Sequence, residues 1–204
     1  MKKIILTLFG IGLCLGSCSS DDDAVEISVC PPPIEYMTYP EVTTAGRATL
    51  AFKMGAREFI SCLSSQCLPV ESKITAESPI QPIYKMRYYL EAYTQQYVLR
   101  IIANNQRNYL DSFVLDYRSV NPIKEGDKLA FSGSQEDGVV FAIYNSSVDQ
   151  RSYGCTEGEI EIVKLDTENK IMSGIFNFKA EDQNNRNNII TAKAGRFDIL
   201  YRPM

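Results

Sequence analysis

The stretch Gly158–Asp166, GEIEIVKLD, sets Ile160 and Ile162 against Glu159 and Glu161. Side chains two apart share one face of an extended chain, so this alternation marks a strand with one buried and one solvated side. The same period runs through Ile83–Tyr93. There Tyr84, Met86, Tyr88, Leu90 and Ala92 fall on one face, and Lys85, Arg87, Tyr89, Glu91 and Tyr93 on the other. No long stripe of helical period competes with it.

Shorter runs repeat the signal between turn residues. ATLAFKM (Ala48–Met54) and REFISCL (Arg57–Leu63) are joined through Gly55-Ala56, which reads as a hairpin. QYVLRIIAN follows a Thr94-Gln95 connection, and NYLDSFVLDY (Asn108–Tyr117) reads as a further strand. Strands are also expected at Lys128–Ser132, Gly138–Asn145 and Lys170–Glu181, then at IITAKAG and RFDILYR. Strands at such short spacing predict an all-β fold: a single antiparallel β-sandwich or partly open β-barrel built of sequential hairpins. The domain is expected to span residues 45–204.

The front of the chain is of a different kind. Lys2 and Lys3 precede an apolar segment, Ile4–Leu15, shorter than the ~20 residues of a bilayer-spanning helix. A charged start, a short apolar core and small residues at the break describe an export signal over residues 1–17. The break, Leu15-Gly16-Ser17-Cys18, resembles the bacterial lipobox, which implies lipidation at Cys18 and attachment to a membrane through several acyl chains. Bulky Leu13 makes Cys14 the poorer match. Ser19, Ser20, Asp21, Asp22 and Asp23 come next and resemble the signal that sends Bacteroidota lipoproteins to the outer face of the outer membrane. The expected location is therefore the outer membrane, facing the cell exterior, with its periplasmic face as the alternative. Residues 18–44 then comprise the lipidated cysteine, an acidic tether and a spacer stiffened by Pro31, Pro32 and Pro33.

Composition narrows the chemistry. The chain of 204 residues has a formal net charge of −4, and its Lys and Arg are scattered, which argues against nucleic acid as a partner. With His 0, the Ser-His-Asp and Cys-His mechanisms lose their base and histidine-ligated zinc is excluded. Trp is 0 but Tyr is 12, so an aromatic platform would be built of tyrosine. Beyond the signal and the anchor remain Cys30, Cys62, Cys67 and Cys155. An even number in an exported chain suggests disulfides among them, with the pairing open. Neither close pair has the Cys-x-x-Cys spacing of a metal knuckle, so no metal or cofactor is expected.

The last third carries a family resemblance. Gly158, Ile162, Leu165, Asp166, Asn169, Ile171, Ser173, Gly174, Phe176, Phe178 and Ala180, then Gly195, Arg196, Phe197, Asp198 and Tyr201, match a hairpin and terminal strand. This pattern resembles a family of uncharacterised Bacteroidota lipoproteins, a domain of unknown function, and LAFKMGAREFI is like that family's opening hairpin. The resemblance implies one folded unit and supplies no catalytic residues. Physically the motif reads as structure. Asp166 and Asn169 fix a turn. Gly174 marks a bulge or close backbone approach. Ile171, Phe176 and Phe178 are core. Arg196 and Asp198 form a surface ion pair around inward Phe197.

Three arrangements are candidates for chemistry. Glu157, Glu159 and Glu161 share a strand face at the separation glycosidases use, yet also look like the outer face of a sheet. DTEN and EDQNN offer oxygens without a calcium-loop spacing. Tyr89 and Tyr93, beside Arg87, form the best ligand surface, suited to a sugar or a protein. The reading is a surface lipoprotein acting as a non-catalytic binding or accessory module with a glycan or protein ligand. The alternative is a structural or assembly component of an envelope complex, and a glycan hydrolase is the minority reading.

Overall fold

The structure is a computed structural model that describes residues 39–62, 83–105 and 110–202. Ten strands follow in order: β1 Thr49–Met54, β2 Arg57–Cys62, β3 Ile83–Leu90, β4 Tyr97–Asn104, β5 Ser112–Ser119, β6 Lys128–Ala130, β7 Val140–Ser146, β8 Arg151–Asp166, β9 Ile171–Asp182 and β10 Ile189–Leu200. They form one sheet in the order β2-β1-β10-β9-β8-β7-β5-β4-β3, with β6 on β8. All the strand pairings are antiparallel. The sheet curls into an open half-barrel, so the partly open barrel is the architecture observed.

Alternation decides which side chains fill the hollow. Leu50 and Phe52 of β1, Phe59 of β2, Leu99 and Ile101 of β4, Phe113 and Leu115 of β5, and Phe176 and Phe178 of β9 are all buried in one cluster. Aromatic rings dominate it, with Phe52 and Phe59 stacked at 4.7 Å and Phe113 and Phe178 stacked at 5.6 Å. Such pairs add about 0.5–1.5 kcal/mol beyond the area they bury. Met172 occupies the inward position expected of Ile171, which is only half-buried, because β9 faces the core one residue later.

The curl brings the two ends of the sheet close, and hydrogen bonds tie β2 to the residue after β4 and β3 to the chain after β10. Asn105, just past β4, accepts from Ile60 N at its Oδ1 (3.2 Å) and donates to Glu58 O (3.4 Å) along the outer edge of β2. Arg202 N donates to Met86 O of β3 at 3.2 Å. The connection between β5 and β7 closes one end of the hollow: Ile123, Leu129 and Phe131 are buried, and Ile123 N donates to Tyr88 Oη at 2.8 Å.

All three glycines of the family-like motif meet backbone, Gly195 against Phe176 O at 2.5 Å. Gly158, one residue past the β8 register shift between Cys155 and Glu157, has φ +134, and a Cβ there would lie 2.2 Å from Asn177 O. At Gly174 a Cβ would lie 2.6 Å from both Glu161 O and the Phe197 ring, which is the close approach expected there.

The segment before β1 straps the convex face. It follows β10 from Tyr39, whose hydroxyl donates to Ala194 O at 2.6 Å, to Thr43–Arg47 beside Asp198. Tyr39 packs on Ala51, Ile60 and Cys62, with Lys53 and Arg196 over its ring at 4.6 and 4.5 Å. The expected Arg196–Asp198 surface pair does not form. Asp198 is buried and accepts from Ala45 N, Gly46 N, Arg47 N and the Thr43 hydroxyl, while Arg196 donates to Pro40 O and Ala194 O. The strap supplies donors where the sequence suggested solvent.

Candidate binding cleft

An opening lies where the sheet splits. Strands β1 and β10 pair from Thr49↔Asp198 up to Lys53↔Lys193. There β1 turns away through Gly55-Ala56, while Ile189–Ala192 of β10 continue, paired with β9 alone. The gap is an open cleft of about 790 Å³. Lys53, Met54, Gly55 and Arg57 form one wall and Asn188–Thr191 with Lys193 the other, while Tyr144, Tyr153, Asp149 and Arg151 come from β7, β8 and the turn between them. That end of the half-barrel also exposes Leu110, Val148 and Ile189.

Aromatic and ionic groups are both fixed in place. Tyr144 and Tyr153 stack at 6.1 Å. Tyr144 Oη donates to buried Asp111 Oδ2 at 2.8 Å, and Asp111 Oδ1 accepts from Ser147 N and Oγ, each at 2.7 Å. Burial, reinforced by the Asp111 carboxylate, pushes the Tyr144 hydroxyl well above its usual range, so it stays a donor. Arg57 grips Asp149 with both nitrogens, at 2.6 and 3.0 Å. Four strands separate β2 from β7 in the sheet, so this pair spans the concave side. The Arg57 hydrogen bond holds the Asp149 carboxyl below its ordinary value. Arg151 pairs with buried Asp182, and Asn188 Nδ2 donates to Tyr153 Oη at 3.4 Å.

The lining is cationic on an acidic chain. Lys53, Arg57, Arg151 and Lys193 face one lining carboxylate, Asp149. Lys53 also meets Glu58 at 3.4 Å, whereas Lys193 has no ion-pair partner among the described residues. Stacked rings, fixed hydroxyl and amide groups and surplus positive charge suit a ligand that offers flat apolar faces, hydrogen-bonding groups and negative charge.

The three residues of the expected tyrosine surface do not share one strand. Strand β3 ends at Leu90, so Tyr93 lies in the following turn, 96% exposed. Glu91 N bonds Gln96 O and Gln95 N bonds Glu91 O, which closes that turn and ends the alternation before Tyr93. Arg87 and Tyr89 remain half-buried on β3, and none of the three line the main clefts. The tyrosines that line the cleft are Tyr144 and Tyr153. The visible signal is YNSSVDQRSY, in which two tyrosines bracket a tight turn that carries an aspartate.

Other candidates sort as follows. Glu157 and Glu159 share the convex face with Glu161 but are held by Lys179 at 2.8 Å and Lys128 at 3.1 Å. Asp166 accepts from Glu168 N, Asn169 N and Asn169 Nδ2, the turn chemistry expected of DTEN. Among the described residues no three acidic or cysteine side chains converge on a metal position. Cys155, expected among the disulfide cysteines, is instead a free, buried thiol whose pKa burial raises. Alternation turns it into the core, whereas Cys62 packs on the convex face beneath Tyr39. Cys18, Ser19, Ser20, Asp21, Asp22, Asp23, Cys30 and Cys67 lie outside the described residues. Family models, curated proteins and solved structures give no match to this chain.

Proposed function

We propose that this protein is a non-catalytic binding module, held at the outer membrane through lipidated Cys18, directed to the cell exterior by Ser19–Asp23, and belonging with the Bacteroidota lipoproteins that its last third resembles. Its ligand is a glycan or a protein. The observation that carries the binding reading is the split in the sheet, with the stacked pair Tyr144 and Tyr153 in it. The carboxylates nearby support binding over acid–base work, because Asp149 and Asp182 are each committed to an arginine.

Protease shaving of intact cells tests the location, with a periplasmic protein as control. Cleavage of this chain while the control survives is expected; protection of both refutes display on the exterior. Surface glycans and envelope proteins are then screened by the shifts they cause in the Tyr144 and Tyr153 ring resonances. A true ligand shifts both rings and loses about fivefold in affinity on Tyr153→Ala. Ligands that leave both rings unshifted place binding elsewhere.

A further inference from the structure

The split leaves backbone, as well as side chains, facing the cleft. Asp182 N donates to Asn188 O at 3.0 Å, which makes 182 and 188 a hydrogen-bonded pair. The register continues as Ile189↔Glu181, Ile190↔Ala180, Thr191↔Lys179 and Ala192↔Phe178. Bonded and non-bonded pairs alternate along an antiparallel ladder. Ile190 and Ala192 therefore turn their N–H and C=O groups toward β9, and Ile189 and Thr191 turn theirs toward the cleft. Among the described residues no strand fills the cross-strand place beside them, because β1 has already turned at Gly55, where a Cβ would meet nothing within 4 Å. No hydrogen bond among the described residues takes up the backbone groups of Ile189 or Thr191.

We propose that the cleft binds an extended peptide segment of a partner protein, which adds a short strand to β10 in line with β1, through the N–H and C=O groups of Ile189 and Thr191. This rests on the reading of the cleft as the binding site. Added strands draw affinity from main-chain hydrogen bonds and specificity from alternate side chains. Here the specificity is for carboxylates. Lysines at a sheet edge discourage pairing with neutral or basic strands, and Lys53 and Lys193 line the cleft, Lys193 with no ion-pair partner among the described residues, beside Arg57 and Arg151, which Asp149 and Asp182 hold. Asp and Glu side chains on the incoming segment meet that charge, while Met54 and Ile190 receive its inward apolar side chains.

Panning a displayed library of random heptapeptides against the full chain supplies the probe. Enriched peptides are expected to carry Asp or Glu. Bound peptide slows hydrogen exchange at the Ile189 and Thr191 amides about tenfold and leaves Ile190 and Ala192, already bonded to β9, unchanged. N-methylation of the peptide at alternate residues weakens binding about tenfold in one phase and little in the other. Three results overturn the proposal: no peptide is enriched, an enriched peptide protects neither amide, or both N-methylated forms bind alike. A saccharide that shifts Tyr144 and Tyr153 while no peptide is enriched sinks strand addition but leaves the cleft as the binding site. If neither probe shifts those rings, the cleft reading itself fails.

Discussion

Replacing Asp198 by alanine removes the acceptor on which the strap closes. Ala45 N and Gly46 N lie 3.0 and 2.8 Å from its oxygens, Arg47 N lies at 3.3 Å, and the Thr43 hydroxyl donates as well. A hydrogen bond to a charged group is worth about 1.5–3 kcal/mol, but these four share one carboxylate and cannot add in full. Detachment also limits the loss, since freed strap residues regain backbone entropy of about 1–2 kcal/mol each. The net expectation is about 2–4 kcal/mol for Asp198→Ala. Asp198→Asn, which keeps one acceptor oxygen, should lose about half of that. Urea unfolding reads both as lower midpoints, with the slope little changed. Trypsin supplies the local readout, because exposed Arg47 in the strap should be cut faster once the strap lifts. A loss under about 0.5 kcal/mol, the range of an ordinary surface change, with unchanged cleavage at Arg47, would refute the view that Asp198 holds this segment.

Three further outcomes follow from the same geometry. Tyr144→Phe leaves buried Asp111 without the 2.8 Å donor and should cost about 1–3 kcal/mol in thermal unfolding; an unchanged transition would mean that water replaces the hydroxyl at no cost. Arg57→Gln removes the cause of the depressed Asp149 pKa. Because that carboxyl titrates lower when folded, the pair's contribution of about 1 kcal/mol or less is complete above the ordinary aspartate pKa. It fades as pH falls through the folded value, so wild type and variant should differ at neutral pH and converge in strong acid. Gly158→Ala puts a methyl group 2.2 Å from Asn177 O at a positive φ and should destabilise by about 2 kcal/mol or more, read as a lowered melting temperature.

Period-two alternation made the strands legible, and with them the all-β class and the inward positions of Phe176, Phe178 and Phe197. Boundaries failed where local chemistry broke the period. β8 begins at Arg151, ahead of the expected Gly158, because RSYGCT carries too few apolar residues to announce a strand that pairs with β7. IITAKAG and RFDILYR prove to be one strand, carried through the irregular register between Ala192 and Gly195. The cleft was hidden for a different reason. Its walls join Lys53 to Lys193 and Arg57 to Asp149, contacts that only the order of strands in the sheet creates. Tyr93 looked like part of a strand because alternation says nothing of where a hairpin turns. Asp198 looked solvated because a strap that folds back over β10 leaves no periodic trace.

The strap also sets how the domain answers a pull. Traction on the chain ahead of Tyr39 meets its contacts one after another along β10: the Tyr39 clip, the Arg196 bond to Pro40 O, then the donors gathered on Asp198. Contacts taken singly yield by peeling, at low force. Residues 39–47 hold ~30 Å of fully extended chain, of which the strap already spans a part, so their release lengthens the leader before any strand is stretched. Beyond that point tension runs along the axis of β1, bonded on both sides by β2 and β10, and the ladders must slip together. The molecule thus carries a soft extensible leader ahead of a stiff sheet, so a moderate tug spends itself in the leader and leaves the cleft its shape.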